Sequence, residues 1–105
     1  MKPYTQSELI EIITPILADY PVKRSALFGS YARNEQNPDS DVDLLFDLGV
    51  NETYTSVDYI FDLLTAIESK ISLYVDYITV QALQSNPSAQ FIKNIESDSR
   101  WFYEV

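Results

Sequence analysis

Two acidic residues spaced two apart, Asp41 and Asp43, follow a Gly29-Ser30 pair after ten intervening residues. They lie in residues 26–48, ALFGSYARNEQNPDSDVDLLFDL, which read as strand, tight turn, short helix, polar loop and second strand. Side chains alternate across a strand, so Asp41, Asp43, Leu45 and Asp47 share one face and Val42, Leu44, Phe46 and Leu48 the other. The second set packs on a core. The first carries carboxylates into water or onto a cation. Carboxylates on a rigid strand suit Mg²⁺, a hard ion that keeps waters and shares one or two carboxylates with substrate phosphates. Gly29 allows backbone N–H groups close to a phosphate, and the Ser30 hydroxyl and the start of the following helix add donors. Arg33 stands one helical turn beyond Ser30 and can face the same anion. A phosphate cradle beside a metal pair describes nucleotide chemistry.

On these residues the chain resembles the minimal nucleotidyltransferase (MNT) family of the polymerase-beta-like superfamily. The family pattern is Gly-Ser, ten residues, Asp-x-Asp, and a third carboxylate on a later strand. Here it stands as Gly29-Ser30, Asp41-Val42-Asp43, and Asp76 within LYVDYI at 73–78. The similarity runs from about Leu9 to the C-terminus. An isolated Asp-x-Asp is most often the solvated face of an edge strand, and the Gly-Ser pair at this spacing reverses that reading. The resemblance implies an α/β (α+β) fold with a small mixed sheet and helices packed on one face. It implies Asp41, Asp43 and Asp76 as catalytic and metal ligands, two Mg²⁺ ions, ATP as substrate, and Gly29, Ser30 and Arg33 on its phosphates. Arg33 has a rival role in an ion pair with Glu35. Asp47 lies roughly 13 Å along the strand from Asp43 and reads as solvated or partner-facing.

The 105 residues suit a single domain, 1–105, and 46 % hydrophobic composition supplies a core. With neither Cys nor His, disulfides, thiolate or histidine zinc sites and histidine bases are excluded, leaving oxygen-ligated metals. No apolar run has the length of a membrane span, and the N-terminus lacks a signal-peptide pattern, so a cytoplasmic protein is expected. The net charge of −9 repels phosphate backbones, which argues against nucleic acid and favours a basic protein partner.

The elements that must position these residues follow from periodicity. Residues 7–20 carry a broad helical stripe of Leu9, Ile10, Ile12, Ile13, Ile16 and Leu17, with Ser7 as cap and Pro15 inside the pattern. A first strand follows over 22–28, with Lys23 and Arg24 expected to be solvated, and 34–40 form a turn-rich loop. After a polar connection over 48–54, a second long helix with Val57, Ile60, Phe61, Leu64 and Ile67 as its stripe ends near Lys70. Residues 71–78 alternate as a third strand with Asp76 on the Tyr74/Ile78 face. A crossover would bring Asp76 beside Asp43. Short helices are expected near 80–84 and 88–95, and the aromatic tail 100–105 is a last strand or a cover for the core. Tyr54, Tyr59, Tyr74 and Tyr77 fall near core elements, and Tyr31 is either a cover for a nucleotide base or a helix-surface residue.

The expected activity is transfer of a nucleoside monophosphate from a triphosphate to a hydroxyl. No further domain follows Val105 to shape an acceptor site, so a partner is expected to supply that surface. The resemblance points to the antitoxin half of HEPN/MNT toxin–antitoxin pairs, of type VII. It implies transfer of AMP onto a tyrosine of a helical HEPN toxin. Two alternatives stand beside it: an antitoxin that neutralises by binding alone, and a small-molecule nucleotidyltransferase completed by a helical partner.

Overall fold

The structure is a computed structural model that describes residues 2–49 and 59–105. Its order is α1 (Gln6–Leu17), β1 (Arg24–Phe28), α2 (Gly29–Ala32), β2 (Val42–Asp47), α3 (Tyr59–Ile71), β3 (Val75–Thr79), α4 (Val80–Gln84), α5 (Ala89–Asp98) and β4 (Arg100–Glu104). The four strands form one mixed sheet in the order β3-β2-β1-β4. β1 is antiparallel to β2 and β4, and β2 is parallel to β3. The parallel pair needs a crossover, and α3 lies within that connection.

The main core fills one face. Leu9, Ile13 and Leu17 from α1 and Ile60, Leu63, Ile67 and Ile71 from α3 recur at helical spacing and bury against Leu27, Val42, Leu44, Phe46 and Val75. The expected α3 stripe is rotated. Phe61, one residue from Ile60 and hence about 100° around the helix, is 77 % exposed, and Leu63 takes the core position. Val57 and Tyr54 lie outside the described residues. α1 is capped by Thr5 rather than Ser7, in a full capping box with Glu8. It runs through Pro15 to Leu17, with Pro15 on its exposed side. The third strand begins four residues later than the alternation implies. Ile71 closes α3, Ser72 turns with φ 58°, and the strand starts at Val75.

A smaller cluster of Ala26, Leu45, Leu83 and Ile95 occupies the other face, under α4 and α5. Helices therefore cover part of the carboxylate face as well as the core face. Thr79 and Ser88 cap α4 and α5 by accepting from the Ala82 and Phe91 N–H groups. α5 continues past Ile95 to Asp98. The aromatic tail is a strand, β4, on the edge beside β1, with a register irregularity at Ser25/Ala26.

Asp47 is not a free solvated carboxylate. Its Oδ2 accepts from the Arg24 Nε and Nη2 at 3.1 and 2.9 Å, its Oδ1 accepts from the Gly49 N–H, and Arg24 stacks over Trp101. Arg24 is accordingly structural rather than free. Burial pushes the Asp47 carboxyl up, but the Gly49 N–H and Arg24 outweigh it and hold the group below the ordinary carboxylate range. Asp47→Ala should destabilise the chain by about 1 kcal/mol near neutral pH. Because the folded group titrates below the unfolded one, this contribution is complete above the ordinary range and fades as pH falls through it. Denaturant melts of parent and variant at pH 7 and pH 3 check this. The gap should be full at pH 7 and clearly smaller at pH 3.

Candidate active site

β1, β2 and β3 bring the sequence-derived residues to one end of the sheet. β1 arrives with Phe28 and hands over to the Gly29 turn, while β2, antiparallel to it, departs with Val42 and Asp43. Phe28 and Asp43 are cross-strand partners. The parallel register with β3 sets Asp43 directly opposite Asp76. Paired residues share a face, so the two carboxylates look out together. Asp41 and Tyr74 stand one position ahead of Val42 and Val75, and the Val42 N–H donates to the Tyr74 carbonyl at 2.9 Å, extending the ladder to them.

Gly29 is fixed by two constraints. Its φ of +72° is strained for any L side chain, and an added Cβ would overlap the Asp43 Oδ2. The turn thus lies against the Asp43 carboxylate with no side chain between. Two supports hold it. Tyr31 is buried in the main core beneath it, and the Gln6 side-chain N–H₂ donates to the Tyr31 and Ala32 carbonyls at 2.7 and 3.0 Å. Gln6 also accepts from Arg100. Tyr31 is therefore neither a base cover nor a surface tyrosine. Its phenol is pushed up by burial.

Asp43 is half-buried, Asp41 and Asp76 are exposed. The Asp43 carboxyl is pushed up to about 6 by burial first, then by the charges of Asp76 and Asp41, with Arg33 pulling weakly the other way. A cleft of about 490 Å³ opens beside it, lined by Gly29, Arg33, Asp43 and Asp76 and walled by Tyr77 and Phe91. Ser30 and Asp41 stand outside that lining. A separate hollow of about 570 Å³, between Tyr4, Tyr31 and Leu73, contains none of the three aspartates.

Arg33 does reach the cleft, but in company. Its Nε donates to Glu35 at 2.8 Å and its Nη1 to Asp98, on the last turn of α5, at 2.7 Å. Both acids raise its pKa further. Asp98 and Gln6 were not legible as site residues. Each acts on the Gly29–Arg33 segment from a helix remote in sequence, and neither belongs to a local spacing pattern.

The donor set fits a hard divalent cation. Repelling carboxylate oxygens, one of them half-buried with a raised pKa, are stabilised by a positive ion. Among the described residues no three acidic side chains close into a finished cage.

A model of the nucleotidyltransferase domain matches residues 9–102. The chain belongs to the nucleotidyltransferase domain family. A relative from Methanocaldococcus jannaschii, named as a candidate protein adenylyltransferase, is 41 % identical over 98 residues, covering 90 % of this chain and 94 % of its own. A second so named from the same organism is 36 % identical over 102 residues, with the same coverage. Among solved structures, this nucleotidyltransferase shares its fold with a minimal nucleotidyltransferase (TM-score 0.67, 22 % identity, 92 % of this chain and 95 % of that one). It also shares it with a toxin–antitoxin bound to AMP-PNP (TM-score 0.67, 19 % identity, 91 % and 73 %). A third likeness is to a complex of a tri-AMPylated HEPN toxin from Shewanella oneidensis with its MNT antitoxin (TM-score 0.62, 16 % identity, 96 % and 74 %).

Two outcomes follow from the geometry. Gly29→Ala should destabilise the chain, by about 1 kcal/mol or more, because strain in φ and the clash with Asp43 add. A melt unchanged from the parent would contradict the close approach. Asp43→Asn should do the reverse. Between the unfolded carboxylate range and about pH 6 the folded state holds a proton that the unfolded state releases, so this group's contribution worsens as pH rises through that window. Removing the charge should therefore stabilise the metal-free chain near pH 7.5 by on the order of 1 kcal/mol after solvent screening, about 4 °C in Tm, and by less at pH 5. Thermal melts with chelator at both pH values test it.

Proposed function

We propose that the chain transfers AMP from ATP to a tyrosine hydroxyl of a HEPN-type helical toxin in the cytoplasm, as a type VII antitoxin. The observation that carries this reading is the cross-strand match of Asp43 with Asp76 beside the side-chain-free Gly29 turn. In this account Asp41 and Asp43 would hold one Mg²⁺ and, with Asp76, a second, and the charge these ions would supply would offset that of the triphosphate and of the departing pyrophosphate. Backbone N–H groups of the Gly29 turn and the Ser30 hydroxyl orient the β- and γ-phosphates. Arg33 keeps its Nη2 donors for the same phosphates while Glu35 and Asp98 hold the rest of the guanidinium. Asp76, exposed at the sheet edge on β3, accepts the proton of the attacking hydroxyl.

A protein acceptor is supported by the names of the relatives, and a HEPN partner by the complexes that share the fold. The net charge of −9 favours a basic partner and disfavours nucleic acid. The cleft is open to water, which a docked partner would exclude during transfer.

The test is to incubate the chain with a HEPN-type helical protein, ATP and Mg²⁺, and to measure intact masses. One or more AMP additions on a partner tyrosine are expected, and none with the Asp41→Asn/Asp43→Asn variant. An unmodified partner that is silenced equally by parent and variant would establish neutralisation by binding instead.

A further inference from the structure

Tyr74 is the described tyrosine most open to solvent, at 70 % exposure. The others are engaged or covered. Tyr4 donates to the Ile71 carbonyl, Tyr20 and Tyr59 pack on each other, Tyr31 is buried, Tyr77 leans on Phe46, and Tyr103 packs against the main core. Its place is as unusual as its exposure. It sits two residues before Asp76, just ahead of β3, and stands opposite Asp41, just ahead of β2, where the Val42 N–H to Tyr74 carbonyl bond continues the β2–β3 ladder by one position. Asp41, Asp43, Tyr74 and Asp76 thus form the four corners of one patch on the sheet. Successive same-face positions on a strand are roughly 6.6 Å apart, about the reach of a tyrosine hydroxyl from its own Cα. The phenol can therefore arrive over the carboxylates from its own backbone position. A large aromatic ring left in water at this spot gains nothing for the core, since the main cluster lies on the other face.

We propose that Tyr74 is an internal acceptor, so that the chain adenylylates itself at this position when no partner covers the patch. The inference rests on the AMP-transfer reading above. In the step, the Tyr74 Oη forms a bond to the α-phosphorus of ATP and the α–β anhydride bond breaks. Pyrophosphate leaves with the bonding electrons, and the phenolic proton passes to the Asp76 carboxylate or to water. The product carries AMP beside Asp41 and Asp76, where it blocks a second nucleotide.

The chain alone, with ATP and Mg²⁺, should gain the mass of one AMP less water. Peptide mapping should place it on Tyr74, at a rate independent of chain concentration. Tyr74→Phe and Asp41→Asn/Asp43→Asn should each lose the adduct, with thermal melts confirming that both variants are folded. Independently of turnover, a non-hydrolysable ATP analogue with Mg²⁺ should shield the Tyr74 ring from nitration. An adduct on another residue, a rate that rises with chain concentration, or equal nitration with and without the analogue would overturn the proposal. A toxin partner that becomes AMP-modified by a chain that never modifies itself would overturn it while leaving the proposed function intact. If neither protein is modified, both fall.

Discussion

The structure turns on a repulsion. Asp43 is held half-buried, opposite Asp76 and near Asp41, and among the described residues Arg33 supplies partial compensation. Burial and like charge both act against the ionised carboxylate, and its pKa is pushed up to about 6 as a result. A chain selected for stability alone would have a neutral or apolar residue there. The cost is offset elsewhere. The main core packs two helices onto one face, and the Arg24–Asp47 pair satisfies a further acid of the same strand face. The arrangement makes physical sense when a cation arrives with a polyphosphate and converts repulsion into shared coordination.

The covering of the second face decides where that happens. α4 and α5 bury Leu45 and Ala26, which closes the middle of the carboxylate face, and Arg24 neutralises its far end at Asp47. The Asp41, Asp43 and Asp76 end remains, flanked by the Gly29 turn. The same α5 supplies Asp98 to Arg33, so the layer that limits the site also anchors the cation at its rim. Tyr31 and Gln6 hold the turn from the core side. The proposed phosphate-binding loop is thereby fixed from both faces of the sheet.

Much of this was legible because it is local. The Gly-Ser to Asp-x-Asp spacing spans one hairpin, and a strand's two-residue period assigns Asp43 its face without tertiary knowledge. The crossover that sets Asp76 beside Asp43 followed from the order of elements. What was missed depends on partners distant in the chain. Asp47 reads as solvated until Arg24 is seen opposite it. Leu45 reads as a solvent-face residue until α4 and α5 return over it. Phe61 reads as a core residue until the phase of α3 is fixed and Leu63 takes its place, since one residue moves a side chain by about 100°. The start of β3 is ambiguous in the sequence because Ile71 fits either a β-rich run or the last turn of an apolar helix stripe. The positive φ of Ser72, which decides between them, has no signature in residue type.

The central claim is that the acidic patch and the Gly29 turn form one site for Mg²⁺ and a nucleoside triphosphate. Calorimetric titration of the chain with ATP, with Mg²⁺ and then with chelator, tests it most directly. Binding should require Mg²⁺ and should weaken at least about tenfold, 1.4 kcal/mol, in Asp41→Asn/Asp43→Asn. Binding of equal strength in parent and double variant, or indifferent to Mg²⁺, would contradict the account.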